Sequence, residues 1–254
     1  MTAPAPTPAR RAALDHETAM DLAAAEYARG LDLFGGLGSD DWARPTDCPG
    51  WDVRDMASHM LGMAECGASL PRFAGEFALS LWAQHRAGGN STDHMTARQV
   101  ARRGGMAPAE IVERYAAAGP RAAAGRRRRP AALRAMPVGG VELPGGAREP
   151  WTMGFLLDTI LTRDSWMHRI DIARATGREP VLTAAHDGVL VADVVTEWAG
   201  RHGAPCTLVL TGPAGGRWEF GGGGELLERD AVEFCRTLSL RERGTGLLAT
   251  EVPF

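Results

Sequence analysis

The chain of 254 residues has no lysine, so all 28 of its basic residues are arginines. We attribute this bias to the codon usage of a GC-rich bacterial genome, and it says nothing about mechanism. Cysteine is also scarce, with four widely spaced residues and no C-x-x-C pair. This spacing argues against a disulfide framework and against a zinc knuckle built from thiolates. It fits a reducing cytoplasm, where we expect the protein to act.

Long apolar segments are missing as well. No stretch approaches membrane-spanning length, and the N-terminal segment MTAPAPTPARRAALDHE has no apolar core after its arginine pair. We therefore expect a protein that is neither secreted nor embedded in a membrane. A formal net charge of -3 gives no general attraction for nucleic acid or anionic membranes, so neither is an expected partner. The oligomeric state is not encoded in any recognisable pattern.

The length of the chain allows two units of unequal size. Residues 1–13 are rich in proline and alanine and are predicted to form a disordered tail. Residues 14–179 follow helical patterns, with four main helices joined by long connections. Residues 180–254 mix helix and strand patterns. The predicted fold class is therefore α+β, a four-helix bundle followed by a small C-terminal α/β domain.

Capping residues, prolines and glycines divide the first unit. Helices are predicted to begin at Asp15, near Val53 and at Pro108, with a fourth around Asp164 that ends near Gly177. Other segments are assigned from composition: a less regular helix over residues 76–85, a polar loop over 88–93, a solvated arginine run over 126–129 and an irregular proline- and glycine-rich connection over 130–150.

The second unit shows a different pattern. Thr183 is predicted to cap a helix that ends at Gly203. The segments CTLVLTG and GRWEFGG are predicted to form two strands joined by a turn. Residues 228–241 are predicted to form an amphipathic helix.

Two helical segments place metal-binding side chains on a buried stripe. Asp164 and His168 lie four residues apart among apolar residues at helical spacing. A carboxylate that faces a core needs a cation, a salt bridge or a metal, because burying an unpaired charge costs several kcal/mol. In the other segment His59 lies on the face marked by three methionines, which are Met56, Met60 and Met63.

Side chains four residues apart on one helix can reach the same point, and a ligand from a facing helix completes an open site with three protein ligands. We therefore predict a divalent metal held by His59, Asp164 and His168. Zn(II) suits one oxygen and two imidazoles, although Mn, Fe, Co or Ni would accept the same donors. The alternative is an Asp–His hydrogen bond without metal, paired with Arg163 or Arg169.

Two further residues near His59 have simpler explanations. Asp55 completes an acidic capping box with Asp52 at the start of the His59 helix, which satisfies free backbone N–H groups. Cys66 lies two turns after His59, and a buried free cysteine usually behaves as a small hydrophobic residue. Neither is assigned to the metal.

The segments PTDCPGWDVRDMASHMLGMAE and RDSWMHRIDIARATG, with the C-terminal GTGLLATEVPF, resemble the mycothiol-dependent maleylpyruvate isomerase family over nearly all of the chain after its tail. The resemblance implies a DinB-like bundle that binds one divalent metal through His59, Asp164 and His168. It implies a small C-terminal domain that helps to close the site, with Arg236 as the candidate contact for an anionic substrate group. It also implies mycothiol as cosubstrate. The isomerase carries glutamate at the Asp164 position, so the motif indicates the metal more specifically than the reaction.

The chemistry implied is the addition of a thiolate to a small electrophile. A metal with an open coordination position can hold a thiol sulfur as thiolate at neutral pH. Addition, bond rotation and elimination would give cis–trans isomerisation, whereas a retained adduct would be S-transfer, and the sequence does not separate the two. The other readings are a metal-dependent hydrolase and a non-catalytic zinc-binding regulatory module. The usual C-x-x-C of such regulators is absent here.

Overall fold

The computed structural model describes residues 8–142, 146 and 148–254. The chain packs as two compact units, one reaching to Glu179 and the other covering Pro180–Phe254. The helices of the described residues are α1 (His16–Gly35), α2 (Val53–Ala68), α3 (Leu70–Ala87), α4 (Ser91–Ala101), α5 (Pro108–Arg127), α6 (Ala131–Arg134), α7 (Leu161–Ala175), α8 (Val189–His202) and α9 (Ala231–Leu238). The strands are β1 (Pro137–Glu142), β2 (Arg148–Thr152), β3 (Cys206–Thr211), β4 (Gly216–Phe220) and β5 (Glu225–Asp230).

The first unit is built around α1, α2, α5 and α7, which pack against one another as a four-helix bundle. Asp15 caps α1 by accepting a hydrogen bond from the Thr18 backbone N–H at 3.0 Å. Asp52 caps α2 in the same way, with the Asp55 N–H at 2.8 Å. The buried apolar side chains of these helices form one core, which holds Met20, Tyr27, Phe34, Met56, Met60, Leu61, Ile111, Tyr115 and Ile172 among others. The α+β fold class predicted from the sequence is thus confirmed.

Gly67 on α2 and Gly125 on α5 allow these two helices to pack closely where they cross. A Cβ atom placed on Gly125 would lie 2.6 Å from the backbone oxygen of Gly67, which is closer than any real contact. Because the obstacle is backbone rather than a flexible side chain, no larger residue fits there without separating the helices. The crossing brings the C-terminal half of α2 against the core of the bundle.

The helices between α2 and α5 differ from the prediction. The stretch predicted at residues 76–85 is the middle of α3, which starts earlier because Ser69 caps it. The predicted loop at residues 88–93 is wrong in its second half. There Asn90 accepts a hydrogen bond from the Thr92 N–H at 2.8 Å and starts α4. Asparagine satisfies a helix N-terminus as readily as it forms a turn, and the helix signal was missed for that reason.

The connection predicted as irregular over residues 130–150 contains α6 and an antiparallel pair of strands, β1 and β2. Residues 1–7 of the predicted tail lie outside the described residues. Further along the tail, Arg10 pairs with β2: its N–H donates to the Pro150 oxygen at 2.7 Å, and its own oxygen accepts from the Thr152 N–H at 2.9 Å. This part of the tail is therefore ordered by backbone pairing.

The arginine run was predicted to be solvated, and for Arg126 this is wrong. Arg126 belongs to the last turn of α5 and is 1% exposed. Its guanidinium donates to the backbone oxygen of Leu157 at 2.8 Å, to Thr162 Oγ1 at 2.6 Å and to Tyr27 Oη at 3.3 Å. Leu157 lies in the π-helical segment Phe155–Ile160 directly before α7. Arg126 therefore fixes the start of the helix that carries Asp164 and His168.

The second unit has a three-stranded sheet in the order β4-β3-β5, with β3 antiparallel to β4 and parallel to β5. Strands β3 and β4 agree with the prediction, and Gly203 ends α8 in a left-handed conformation. The predicted helix over residues 228–241 is corrected: β5 runs to Asp230, which then caps α9 by accepting from the Val232 N–H at 2.9 Å. The sequence ELLERD has helix-forming composition, but its pairing with β3 makes it a strand.

Four consecutive glycines, residues 221–224, join β4 to β5 and all have positive φ. This turn crosses the start of β3, where a Cβ atom on Gly224 would lie 2.0 Å from the Pro205 oxygen. Only glycine combines these backbone angles with so close an approach. No helix in the described part of the chain has both the length and the apolar character needed to cross a bilayer.

The buried position of Arg126 leads to a stability prediction. Arg126→Met should lower the free energy of unfolding by about 3 kcal/mol, because it removes the buried donor to the Leu157 oxygen, Thr162 Oγ1 and Tyr27 Oη. Arg127→Met is the matched control, since Arg127 is 41% exposed and pairs with the exposed Glu17 and Asp21. Its effect should stay within about 0.5 kcal/mol. Urea unfolding measures both, and equal effects would contradict the role given to Arg126.

Candidate metal centre

The structure brings the three predicted ligands together inside the first unit. His59 lies on α2, and Asp164 and His168 lie one turn apart on α7. One ligand atom from each residue lies within 4.8 Å of the others. His59 is 3% exposed and His168 is 8% exposed, so both imidazoles face the interior as the sequence pattern predicts.

The distances between these atoms suit a shared cation. Asp164 Oδ2 lies 3.4 Å from His59 Nε2, and Asp164 Oδ1 lies 3.3 Å from His168 Nε2. A direct charge-assisted hydrogen bond is shorter, about 2.7–2.9 Å. Two ligands of a tetrahedral zinc, each bonded at about 2.0–2.1 Å, are separated by about 3.3 Å. The observed spacing therefore fits the edges of a metal coordination shell better than a set of direct hydrogen bonds.

The carboxylate has an unsatisfied atom at the centre of this group. Asp164 Oδ2 is buried and has no hydrogen-bond partner. A buried carboxylate oxygen without a partner is costly unless a cation reaches it. Together with two imidazole nitrogens, it forms a donor set that a divalent ion of the zinc type accepts.

The metal-free alternative included Arg169 as a partner for Asp164, and the structure gives Arg169 another partner. Its Nε donates to Glu26 Oε1 at 2.6 Å and its Nη2 to Glu26 Oε2 at 3.2 Å. Both side chains are buried, and the pair joins α7 to α1. The buried charge of Arg169 is therefore compensated by α1.

Gln99 on α4 orients the imidazole of His59. His59 Nδ1 lies 2.7 Å from Gln99 Oε1, and Gln99 Nε2 contacts Met63 Sδ at 3.1 Å. Since the amide nitrogen faces the sulfur, the amide oxygen accepts the Nδ1 proton, and the ring presents its Nε2 to Asp164. Gly62 makes room for this side chain, because a Cβ there would lie 2.9 Å from Gln99 Cδ. The sequence did not indicate Gln99, which lies on the helix that was partly predicted as loop.

His168 has a comparable arrangement on its other nitrogen. Its Nδ1 lies 3.4 Å from Oδ2 of the fully buried Asp171, and Cys48 also hydrogen bonds to this imidazole. The indole of Trp51 covers both rings, with centroid distances of 5.3 Å to His59 and 6.1 Å to His168. Asp171 follows His168 by three residues, so helical spacing could have identified it.

The two ionisable groups on α7 shift each other's pKa. Burial opposes ionisation of Asp164, but the charges of His168 and His59 outweigh it and hold the pKa of this carboxyl well below its usual value. Burial likewise opposes protonation of His168, but Asp164, assisted by hydrogen bonds to Asp171 and Cys48, raises the pKa of this imidazole well above its usual value. Without metal, the site is therefore an ion pair with a protonated His168.

Cys66 and Arg236, which the sequence analysis also considered, are not part of the cluster of His59, Asp164 and His168. Cys66 is buried among Met63, Phe73 and Leu161, and burial raises the pKa of its thiol to about 11, so it behaves as a small hydrophobic residue. Arg236 lies on α9 of the second unit, where it is 4% exposed and its Nε is 3.2 Å from Glu233 Oε2. Its contact with a substrate stays a prediction.

Comparisons with known proteins agree with this architecture. A family model described as the mycothiol maleylpyruvate isomerase N-terminal domain matches residues 23–173. The fold is similar to a crystal structure of the mycothiol-dependent maleylpyruvate isomerase, with a TM-score of 0.53, 15% identity and 88% of each chain covered. A structure of a histidine-to-alanine mutant of that isomerase gives a TM-score of 0.54 and 15% identity, with 90% of each chain covered. The curated proteins contain no significant match.

The raised pKa of His168 predicts that metal loading releases a proton. Because the metal-free protein holds a proton on this imidazole at neutral pH, a cation must displace it, and on the order of one proton should leave per metal. The apparent affinity should rise with pH until the pH exceeds the raised pKa. Calorimetric titration at pH 7 in buffers with different ionisation enthalpies measures the release, and a binding enthalpy independent of buffer would contradict it.

The contact of Gln99 with His59 predicts a second effect. Gln99→Leu should weaken binding of the metal by about 10–100-fold, because the imidazole loses the partner that fixes its tautomer. Gln84→Leu is the matched control, since Gln84 bonds to the Gly89 oxygen at an exposed position. Competition titration with a chelator gives both affinities, and equal values would show that Gln99 does not orient the ligand.

Proposed function

The chain belongs to the family of the mycothiol maleylpyruvate isomerase N-terminal domain, and on that premise we propose that it is a metal-dependent enzyme that uses mycothiol. In this proposal a divalent cation, Zn(II) in the first instance, is held by His59, Asp164 and His168. The thiol of mycothiol adds as thiolate to a small electrophile. Elimination of the thiol after bond rotation gives cis–trans isomerisation, as in the isomerase named by the comparisons, and retention of the adduct gives S-transfer.

The observation that supports the metal most directly is the geometry around Asp164. Its two oxygens lie 3.4 and 3.3 Å from the Nε2 atoms of two histidines, and the buried Oδ2 has no hydrogen-bond partner. A site designed for a hydrogen bond alone would bring these atoms closer. Three protein donors also leave room for a further ligand, which is the arrangement of catalytic rather than structural zinc sites.

The charge of the donor set favours an anionic sulfur. When bound, a divalent cation would supply Lewis acidity that lowers the pKa of a thiol. One carboxylate and two neutral imidazoles compensate only half of a double positive charge. The site would therefore keep a net positive charge that attracts a thiolate.

The surrounding residues hold the donors in place for this role. Gln99 keeps a proton on Nδ1 of His59, so that its Nε2 is free to act as a ligand. Asp171 is placed to accept the Nδ1 proton of His168, which would direct the other nitrogen inward. The indole of Trp51 lies against both rings and limits the access of water to them. Rigid donors of this kind reduce the reorganisation needed when a substrate binds.

One experiment tests the proposal. Parent protein and the variants His59→Ala, His168→Ala, Asp164→Asn and Asp164→Glu are purified, analysed for metal and assayed with mycothiol and maleylpyruvate. Both histidine variants should lose metal and at least 100-fold in activity. Asp164→Asn should bind metal more weakly, because it removes the charge that offsets the cation. Asp164→Glu should retain metal with altered activity.

Omission of the thiol distinguishes the alternatives. Activity should vanish without mycothiol, and in cobalt-substituted protein addition of the thiol should produce sulfur-to-cobalt charge-transfer absorption. Full turnover in thiol-free buffer would instead indicate a hydrolase that uses water. Parent protein that cannot be loaded with metal, or histidine variants that bind it undiminished, would refute the proposed site.

A further inference from the structure

A separate charged cavity lies in the first unit. Its volume is about 730 Å³, and its wall is formed by helices α2, α3 and α5 and by the turn that follows α4. None of the proposed metal ligands lines it. The charged and apolar side chains that line it are Glu65, Arg72, Glu76, Leu79, Arg102 and Arg121.

Glu65 is surrounded by arginines from α3, α5 and the turn that follows α4. Its carboxylate accepts from Arg72 Nη2 at 2.8 Å and from Arg114 Nη2 at 2.6 Å, and Arg103 donates to the same carboxylate. Burial would raise the pKa of Glu65, but these guanidinium groups outweigh it and hold the pKa below its usual value. The carboxylate therefore stays charged, and its oxygens are already occupied by donors.

Glu76 repeats this arrangement on α3. Its Oε2 accepts from Arg98 Nε at 3.1 Å, its Oε1 accepts from Arg102, and its backbone oxygen accepts from Arg98 Nη2 at 3.0 Å. The residue is 6% exposed. Glu76 is therefore buried and Glu65 largely so, and the oxygens of both carboxylates accept from arginines.

The cluster carries a surplus of positive charge. A third acid, Glu110, lies 3.8 Å from Arg114. Three carboxylates thus face six arginines, which are Arg72, Arg98, Arg102, Arg103, Arg114 and Arg121. The formal net charge of the whole chain is -3, so this positive surplus is a local feature and not a reflection of composition.

The groups exposed to the cavity are the guanidinium groups. The side chains of Arg72 and Arg102 are 43% and 47% exposed, whereas those of Glu65 and Glu76 are 11% and 7% exposed. A guanidinium has five N–H donors, and each of these two arginines commits one nitrogen to a glutamate. Within the described residues, Arg121 has neither an ion pair nor a hydrogen bond. The cavity therefore presents donors with no acceptor of their own.

We propose that this cavity binds a small organic anion with two or more negative charges. Arg72, Arg102 and Arg121 would donate to its carboxylate or phosphate oxygens, a geometry for which the planar guanidinium is suited. The apolar side chains of Leu79 and Ala118, which also line the cavity, would contact its carbon atoms. This site is independent of the proposed thiol chemistry.

Binding is tested by the anion dependence of thermal unfolding on the full chain. Tricarballylate is the carboxylate probe and glycerol 3-phosphate the phosphate probe, and sodium chloride at equal ionic strength is the reference. At least one probe should raise the melting temperature above the chloride reference in a saturable manner, because a ligand bound only by the folded state stabilises it. The stronger probe identifies the anion class.

Substitutions of the cavity arginines test whether the anion binds in the cavity. Arg121→Gln should weaken it at least five-fold while leaving the anion-free melting temperature unchanged or higher, because it removes a surplus positive charge. Arg86→Gln, on the exposed end of α3 where Arg86 stacks on Trp82, should have no effect on binding. No stabilisation beyond chloride, or undiminished binding in both Arg121→Gln and Arg72→Gln, would overturn the proposal. Binding at the proposed metal centre would persist in these variants and is thereby distinguished.

Discussion

The carboxylate of Asp164, enclosed between two imidazoles, is the constraint on which the first unit depends. A charge in such surroundings needs positive or hydrogen-bonding partners within a few ångströms, and while His168 on α7 lies beside Oδ1, the group beside Oδ2 is His59 of α2. Helix α2 must therefore meet α7 at the position of His59. The buried pair of Glu26 and Arg169 fixes α7 against α1, and Arg126 fixes the segment that leads into α7. Each of these contacts limits the freedom of Asp164 to move away from His59.

Helices α3 and α4, which lie between α2 and α5 in the chain, contribute to the candidate metal centre. Gln99 can orient His59 only if α4 stays against α2, and two ion-pair clusters hold it there. Glu76 on α3 binds Arg98 and Arg102, while Glu65 on α2 binds Arg103. Arg103 also donates to the backbone oxygen of Gln99 at 2.9 Å. The charged cavity and the candidate metal centre thus share a helix, although they share no ligand.

The four bundle helices and the clustering of His59, Asp164 and His168 could be predicted because they depend on local patterns. Asp164 and His168 are adjacent through helix geometry, and His59 is marked by the methionines around it. Gln99 could not be found, since its role arises from tertiary packing of a helix whose start resembles a turn. Strand β5 was missed for a related reason. Its composition favours a helix, and only its pairing with β3 makes it a strand. Arg126 shows the limit most clearly, because nothing in a run of four arginines indicates which one is buried.

The length of the acidic side chain bears on the geometry of the proposed metal centre. Asp164 reaches both imidazoles at 3.3–3.4 Å, so the shorter carboxylate suffices to complete the donor set. A glutamate would move the carboxyl group about 1.5 Å further from the α7 backbone, the length of one carbon–carbon bond. A cation held by these donors would then shift relative to His168, whose position on α7 is unchanged. In the proposed metal centre, the choice between the two acids would therefore adjust where the open coordination position points, which would affect the fit of a substrate more than the retention of the metal.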